Sequence, residues 1–248
     1  HARTVPSRAG QDTSIVTNPT TAGGDVYSVV IASRVDDPLL PDAVASIAAQ
    51  TRRPASIRVV CNPGEPIDTG WVARATRAAG GIDIDVLRSD ASGMVSALNH
   101  GIGTCSTRYV AFLDTDDVWL PEKQERQLDA LAADPRLDAV SCRAANFHIS
   151  DDGSHVVGEP TTATMFTCTT FRREAFDAYG LIDGDTTHFT WLYRWWGRAH
   201  DLGITSSCLD YVGLHRRLHT GNSWTLERTR AHRDLLAEIR AHARRRRA

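Results

Sequence analysis

A single lysine, Lys123, stands among 248 residues; methionine occurs twice, and no Cys-x-x-Cys pair is present. Without paired thiols a thiolate metal cage is excluded, and five scattered cysteines (Cys61, Cys105, Cys142, Cys168, Cys208) do not make a disulfide framework. That usage fits a reducing, cytoplasmic compartment. No apolar run approaches the ~18 residues of a membrane span, and no basic-apolar-small cleavage pattern opens the sequence. Charge imbalance is also missing. At a net −2 and a pI near 6.6 the chain lacks the whole-domain positive field that general nucleic-acid binding needs, so nucleic acid is not an expected partner. A content of 42% hydrophobic and 23% charged residues excludes disordered, collagen-like and coiled-coil classes. A chain of this length buries roughly 70–75% of its extended surface on folding, enough for one large α/β domain without staples.

Residues 1–24 are rich in Ser, Thr, Pro and Gly and read as an appended remnant plus a flexible leader, outside the fold. From residue 26 the pattern changes. VYSVVIAS at 26–33, IRVVC at 57–61 and YVAFL at 109–113 are continuous apolar runs of the kind that buried parallel strands show, and IDIDVL at 82–87 adds a strand with an alternating start. Helical spacing over 40–50, 71–79 and 93–102 separates them. A β-α-β-α-β-α-β order predicts an α/β fold with a mostly parallel sheet flanked by helices on both faces. Ligands of such sheets bind at the carboxyl ends of the strands, which selects the loops opening at Ser33, Cys61 and Asp114. Further on, a helix over 121–134 is expected to carry Glu122, Lys123, Glu125 and Arg126 on its wet face. A strand at 139–142, a turn at 151–153 and mixed segments to 170 predict a smaller antiparallel portion joined to the same core. Helices at 172–179 and 189–202, a strand at 204–212 and a helix from 226 complete the reading. The closing Arg244 to Arg247 fit a solvated helix end, favoured there by the dipole, or a contact for anionic lipid or an acidic partner.

The segment FLDTDDVWLPEK carries the most chemistry. Three carboxylates, Asp114, Asp116 and Asp117, stand at the end of a buried strand, where their repulsion needs a compensating cation or capped backbone donors. Hard oxygen ligands select Mg²⁺ or Mn²⁺, which complete their shell with phosphate and water. An Asp that merely caps the helix entered at Pro121 would account for one of the three.

With these residues the sequence resembles the family 2 glycosyltransferases of the GT-A fold, from about residue 27 to 223. The matching pieces are VVIASR, SIAAQT, IRVVCNPGE, GMVSALNHGI, FLDTDDVWLPEK, FRREAF with GLID, and HRRLHTGNS, in that order and spacing. The resemblance implies a GT-A domain over 25–225, followed by a basic-ended helix over 226–248, with the antiparallel portion on the acceptor side. It implies inverting transfer of a sugar from a nucleotide-diphosphate donor of the UDP, GDP or dTDP type. By similarity, Ala32, Ser33, Arg34 and Asn62 line the nucleoside pocket with Asp90 and Asn99 nearby. Asp114 faces ribose and donor sugar beside Thr115, Asp116 binds the metal with Asp114, and His219 closes on metal or diphosphate. Arg216 and Arg217 are candidates to offset charge on the leaving diphosphate. His219 also reads as a strand-end packing histidine.

Two departures from the family pattern matter. Asn62 stands where an Asp is usual, and an amide donates as well as accepts, which leaves the nucleobase open. Thr187 and His188 stand where an acidic pair usually supplies the catalytic base. An inverting transfer needs a proton acceptor, and Asp185 or His188 is expected to serve, with Asp183 behind them as a turn residue. In FTWLYRWWGR, Trp191 and Trp195 lie one turn apart; these rings pack the helix on the sheet, or one of them forms a platform for an acceptor sugar or aglycone.

The expectation is therefore a metal-dependent inverting glycosyltransferase using Mn²⁺ or Mg²⁺. With no long extra domain left over, a small-molecule or peptide acceptor is expected, and a homodimer could supply a missing wall. The alternatives are a polysaccharide or glycolipid acceptor, and a non-catalytic nucleotide-sugar-binding scaffold that lost its base. A nucleotidyltransferase would need a Gly-rich phosphate loop after the first strand, and ASRVDDP is not one.

Overall fold

Strands whose side chains are apolar on both faces must be covered on both faces, and the first half of the chain is built that way. The structure, a computed structural model, describes residues 26–64, 66–150, 152–162, 165–183 and 190–218. Strands β1 (Tyr27–Ser33), β2 (Ser56–Cys61), β3 (Asp83–Arg88) and β4 (Tyr109–Phe112) are all parallel, in the spatial order β3-β2-β1-β4. Helices α1 (Leu40–Ala48), α2 (Thr69–Ala78) and α3 (Met94–Thr104) are the crossovers between them. Pro41 opens α1 in its first turn, where no amide bond is lost. Asp68 caps α2 by accepting from the backbone N–H groups of Gly70 and Trp71. Gly101 lets α3 lie directly on β1: a Cβ there would stand 2.3 Å from Val30 Cγ1. The order predicted from the apolar runs is the observed one, with ends moved by one or two residues.

The second half extends the same sheet. After β4 come β5 (Val118–Trp119), α4 (Lys123–Ala133), β6 (Ala139–Ile149), β7 (His155–Thr162), a 3₁₀ turn at Phe166–Cys168, β8 (Thr169–Arg172), α5 (Glu174–Tyr179), α6 (Thr190–Asp201) and β9 (Ser206–Arg217). Sheet order continues from β4 through β8, β6 and β9 to β5, with β7 paired to β6. The pairs β4·β8, β6·β8, β6·β7 and β5·β9 are antiparallel, whereas β6·β9 is parallel. The predicted strand at 139–142 is therefore longer, and β8 falls in what read as mixed segments. The helix expected from 226 lies outside the described residues. No helix among the described residues is long and apolar enough to cross a membrane.

The two faces of the sheet bury different chemistry. One is mainly aliphatic, with Val29, Ile31, Val44, Ile47, Val59 and Leu128 fully enclosed. The other is aromatic: Phe112, Phe166, Phe171, Phe176, Trp195 and Trp196 meet edge to face or tilted, as between Phe166 and Trp195 at 5.1 Å and 85°. Each such side chain contributes about 1.5–3 kcal/mol through removal from water.

One expectation on α4 is corrected. Lys123 is not on the wet face; it is fully buried. Its Nζ donates to Gln127 Oε1 at 2.8 Å and sits 4.1 Å from the Trp119 ring centroid. Gln127 in turn donates to the carbonyls of Val140 and Cys168. The inward face of α4 comprises Lys123, Gln124, Gln127, Leu128 and Leu131, so its first turn is polar although it faces the core. Burial lowers the Lys123 ammonium to about 8.

Candidate active site

Three strand ends at the carboxyl edge build the site. Register pairs Val30 with Phe112 and Ser33 with Cys61; continued by one or two residues, it sets Ala32 beside Asp114 and Arg34 beside Asn62. A row thus runs along the edge from the β4 loop over β1 to the end of β2. The chain goes β1-β2-β3 in one direction and then returns to place β4 on the other side of β1. That reversal opens a crevice between the loops after β1 and β4.

The β4 loop holds the acidic cluster. Asp114, Asp116 and Asp117 each offer a carboxylate oxygen within 4.8 Å of the others. Burial and the neighbouring Asp116 push Asp114 up to about 7, with Arg216 pulling the other way. Burial, then Asp114 and Asp116, push Asp117 well above the usual carboxylate range. The short strand β5 explains how the arginines reach this loop. Val118 pairs with His215, and continuing that antiparallel register sets Asp116 opposite Arg217. The backbone N–H of Arg217 donates to Asp117 Oδ1 at 3.0 Å, and its Nε donates to the Asp116 carbonyl at 3.0 Å. A weaker contact of 3.4 Å joins Arg217 to Asp42, and the guanidinium lies over the Phe147 ring. Arg217 is buried and braces the acidic loop, whereas Arg216 is the partly exposed cation whose field reaches Asp114.

Two residues outside the expected set tie the neighbouring loops together. Asp37, buried after β1, takes the Thr115 hydroxyl at 2.9 Å on one oxygen and the Leu39 N–H at 3.0 Å on the other. Its carbonyl accepts from Trp71 Nε1 at 3.0 Å. The sequence carries a signal for it, an Asp-Asp-Pro two residues beyond a buried strand, where Asp stabilises a turn. Thr115, expected to meet the donor, directs its hydroxyl at Asp37. The second is Arg88, at the end of β3, which donates to the Asn62 carbonyl at 3.1 Å; nothing in its local pattern marks it.

The remaining expected residues separate into groups. Ser33 is nearly buried and donates to the Arg34 carbonyl, while Arg34 is exposed at the crevice mouth. Asn62 Oδ1 accepts the Gly93 N–H at 2.8 Å. Asp90 is exposed, 4.0 Å from His100. Asn99 is engaged by the protein itself, since its Nδ2 donates to the Ile182 carbonyl at 2.8 Å and its Oδ1 accepts the Ile182 N–H at 3.0 Å. Trp195 Nε1 holds the Gly180 carbonyl at 2.9 Å, and Arg198 reaches the carbonyls of Tyr179, Gly180 and Leu181 and pairs with Asp183 at 2.5 Å. Segment 179–183 is therefore clamped from α3 and α6.

An acceptor platform at Trp195 is corrected, because a ring with no exposed surface cannot be touched by a ligand. Trp191 is 7% exposed and meets Phe166 edge to face, so it too packs the aromatic core. Asp185, Thr187, His188 and His219 lie outside the described residues.

Comparison with known proteins accords with this geometry. The profile of "Glycosyl transferase family 2" matches residues 28–194. The amylovoran biosynthesis glycosyltransferase AmsE of Erwinia amylovora is 24% identical over 152 residues, covering 56% of each chain, so the present chain spans about half the length of that curated relative. Among solved structures, TarS of S. aureus (residues 1–349, in complex with UDP) superposes with a TM-score of 0.59 at 14% identity, over 78% of this chain and 60% of that one. The mannosyltransferase PcManGT from Pyrobaculum calidifontis, in complex with GDP-Man and Mn²⁺, gives 0.62 at 16% identity, over 86% and 63%. At these identities the structural likeness establishes the GT-A type of fold.

Proposed function

The chain belongs to glycosyl transferase family 2, and from that premise we propose that it transfers a sugar, with inversion, from a nucleotide-diphosphate donor held at the carboxyl edge of β1, β2 and β4 to an acceptor hydroxyl. The observation that carries this reading is the carboxylate cluster at the end of β4, with Arg216 close by. Burial, with the repulsion between the carboxylates added to it, raises Asp114 and Asp117 and marks a place that accepts positive charge, so the donor set fits a hard divalent cation. Asp116 and Asp114 would hold it, Asp117 being tied to the Arg217 N–H. Mn²⁺ or Mg²⁺ bound there supplies charge neutralisation for a departing diphosphate.

The protein's own groups do the rest. Arg217 keeps the acidic loop in place through its backbone and guanidinium bonds, and Arg216 adds positive charge beside the diphosphate position. Arg34 and Asn62 flank the nucleoside. Proton removal from the acceptor falls to Asp185 or His188, since Asp183 is held by Arg198. An imidazole with a pKa near 6.5 accepts a proton at neutral pH, as an ionised carboxylate does.

The test is release of nucleoside diphosphate from nucleotide sugars with Mn²⁺, with and without acceptor hydroxyl compounds. Asp185→Asn and His188→Asn should separate, one losing about 10²–10⁴-fold in turnover with donor affinity kept. Equal activity in both removes these two as bases. Donor binding without release from any nucleotide sugar favours a binding scaffold instead.

A further inference from the structure

Asn62 is not free to present either end of its amide. Its Oδ1 accepts the Gly93 N–H at 2.8 Å, and Gly93 sits at φ 114° before α3, a conformation that favours glycine, so the donor is aimed by backbone and not by a movable side chain. Arg88 fixes the Asn62 main chain from the other side, donating to its carbonyl at 3.1 Å. An amide has one accepting and one donating end, and the end left over is Nδ2, which has no protein partner among the described residues.

The place of this donor matters. From Asp114 on β4 over Ala32 to Arg34 on β1 to Asn62 on β2 is two strand spacings across the sheet and two residues along it, about 11–12 Å. That is the reach from the diphosphate of a nucleotide to its base. Beyond β4 in the other direction the buried β8 packs, with Thr170 and Phe171 enclosed, so the base has its crevice on the β1–β2 side.

We propose that Asn62 makes this site select a cytidine-diphosphate-linked donor. Nδ2 carries two hydrogens, and cytosine offers N3 and O2 as adjacent acceptors, whereas uracil, thymine and guanine bring a ring N–H to the middle of the same edge. Two donors facing each other lose about ten- to a hundredfold in affinity. The proposal rests on the donor-site reading above and departs from the UDP, GDP or dTDP donors that the family resemblance implies.

Titration calorimetry of the full chain with CDP, UDP and GDP in the presence of Mn²⁺, for wild type and Asn62→Asp, tests it. CDP is expected to bind at least about tenfold more tightly than UDP or GDP. Asn62→Asp keeps one oxygen for the Gly93 N–H and turns a second toward the base, so the order should reverse in favour of UDP. UDP or GDP bound by wild type as tightly as CDP overturns the proposal and leaves the donor site standing. A CDP preference unchanged in Asn62→Asp overturns the assignment to Asn62. If none of the three binds, the donor-site reading falls and takes the proposal with it. Should Asn62→Asp fail to fold, Asn62→Ala is expected to lose the CDP preference, and retention of it is the contrary result.

Discussion

The loop at 114–117 and the segment at 179–183 treat polar groups in opposite ways. In the first, three carboxylates share a space of a few ångströms and two are pushed well up from their ordinary values. In the second, side-chain donors from Asn99, Trp195 and Arg198 converge on consecutive carbonyls, and Asp183 has its counter-charge. Excess charge left at a crevice marks a place where something else is to bind, whereas bonds made in excess of need mark scaffold. The clamp stands immediately before the segment that contains Asp185 and His188.

Substitutions can break this contrast. Asp116→Ala is expected to have the largest effect, a loss of about 10²–10³-fold in kcat/KM with Mn²⁺. Activity within a fewfold of wild type would merge the two regions into one class. Arg198→Ala should act on stability instead. Stripping the donors from the carbonyls of Tyr179, Gly180 and Leu181 costs about 1–3 kcal/mol, read from urea unfolding, with nucleoside diphosphate affinity unchanged.

Proton linkage sharpens the comparison further. Between its ordinary value and about 7, folded Asp114 keeps a proton that the unfolded chain has shed, so metal-free stability falls as pH rises through that window. Melting temperatures with EDTA should decline from about pH 4 to 7, and Mn²⁺ should flatten the decline. Lys123 gives the opposite slope at higher pH. Between about 8 and its ordinary 10.5 the folded protein has lost a proton that the unfolded chain retains, so stability rises with pH there. The smallest effect is expected from Lys123→Met, which should change stability at pH 7 by less than about 1.5 kcal/mol and abolish the alkaline rise. A rise that persists in that variant would assign it to another group.

What could be read in advance follows the same physics. Strands β1, β2 and β4 were legible because a strand covered on both faces leaves an uninterrupted apolar run. Asp114 and Asp116 were legible because charges at the end of such a strand are costly. Lys123 was not, since a lone lysine in a polar helical turn gives no periodic signal that it faces inward, and only the Gln127 amide and Trp119 ring explain its place. Resemblance to the family places Asn99 near the nucleoside, and a polar residue on a helix does not announce that a backbone 83 positions away will take both ends of its amide. Strand β8 is four residues long and paired only to distant segments, so its order comes from tertiary contact.

The enclosed lysine has a practical corollary. Because Lys123 is the chain's single ε-amine and has no exposed surface, an acylating dye added to the folded protein should modify the α-amino group alone. A second dye molecule per chain then counts openings of the α4 contact, which turns amine labelling into a clock for local unfolding at one known address.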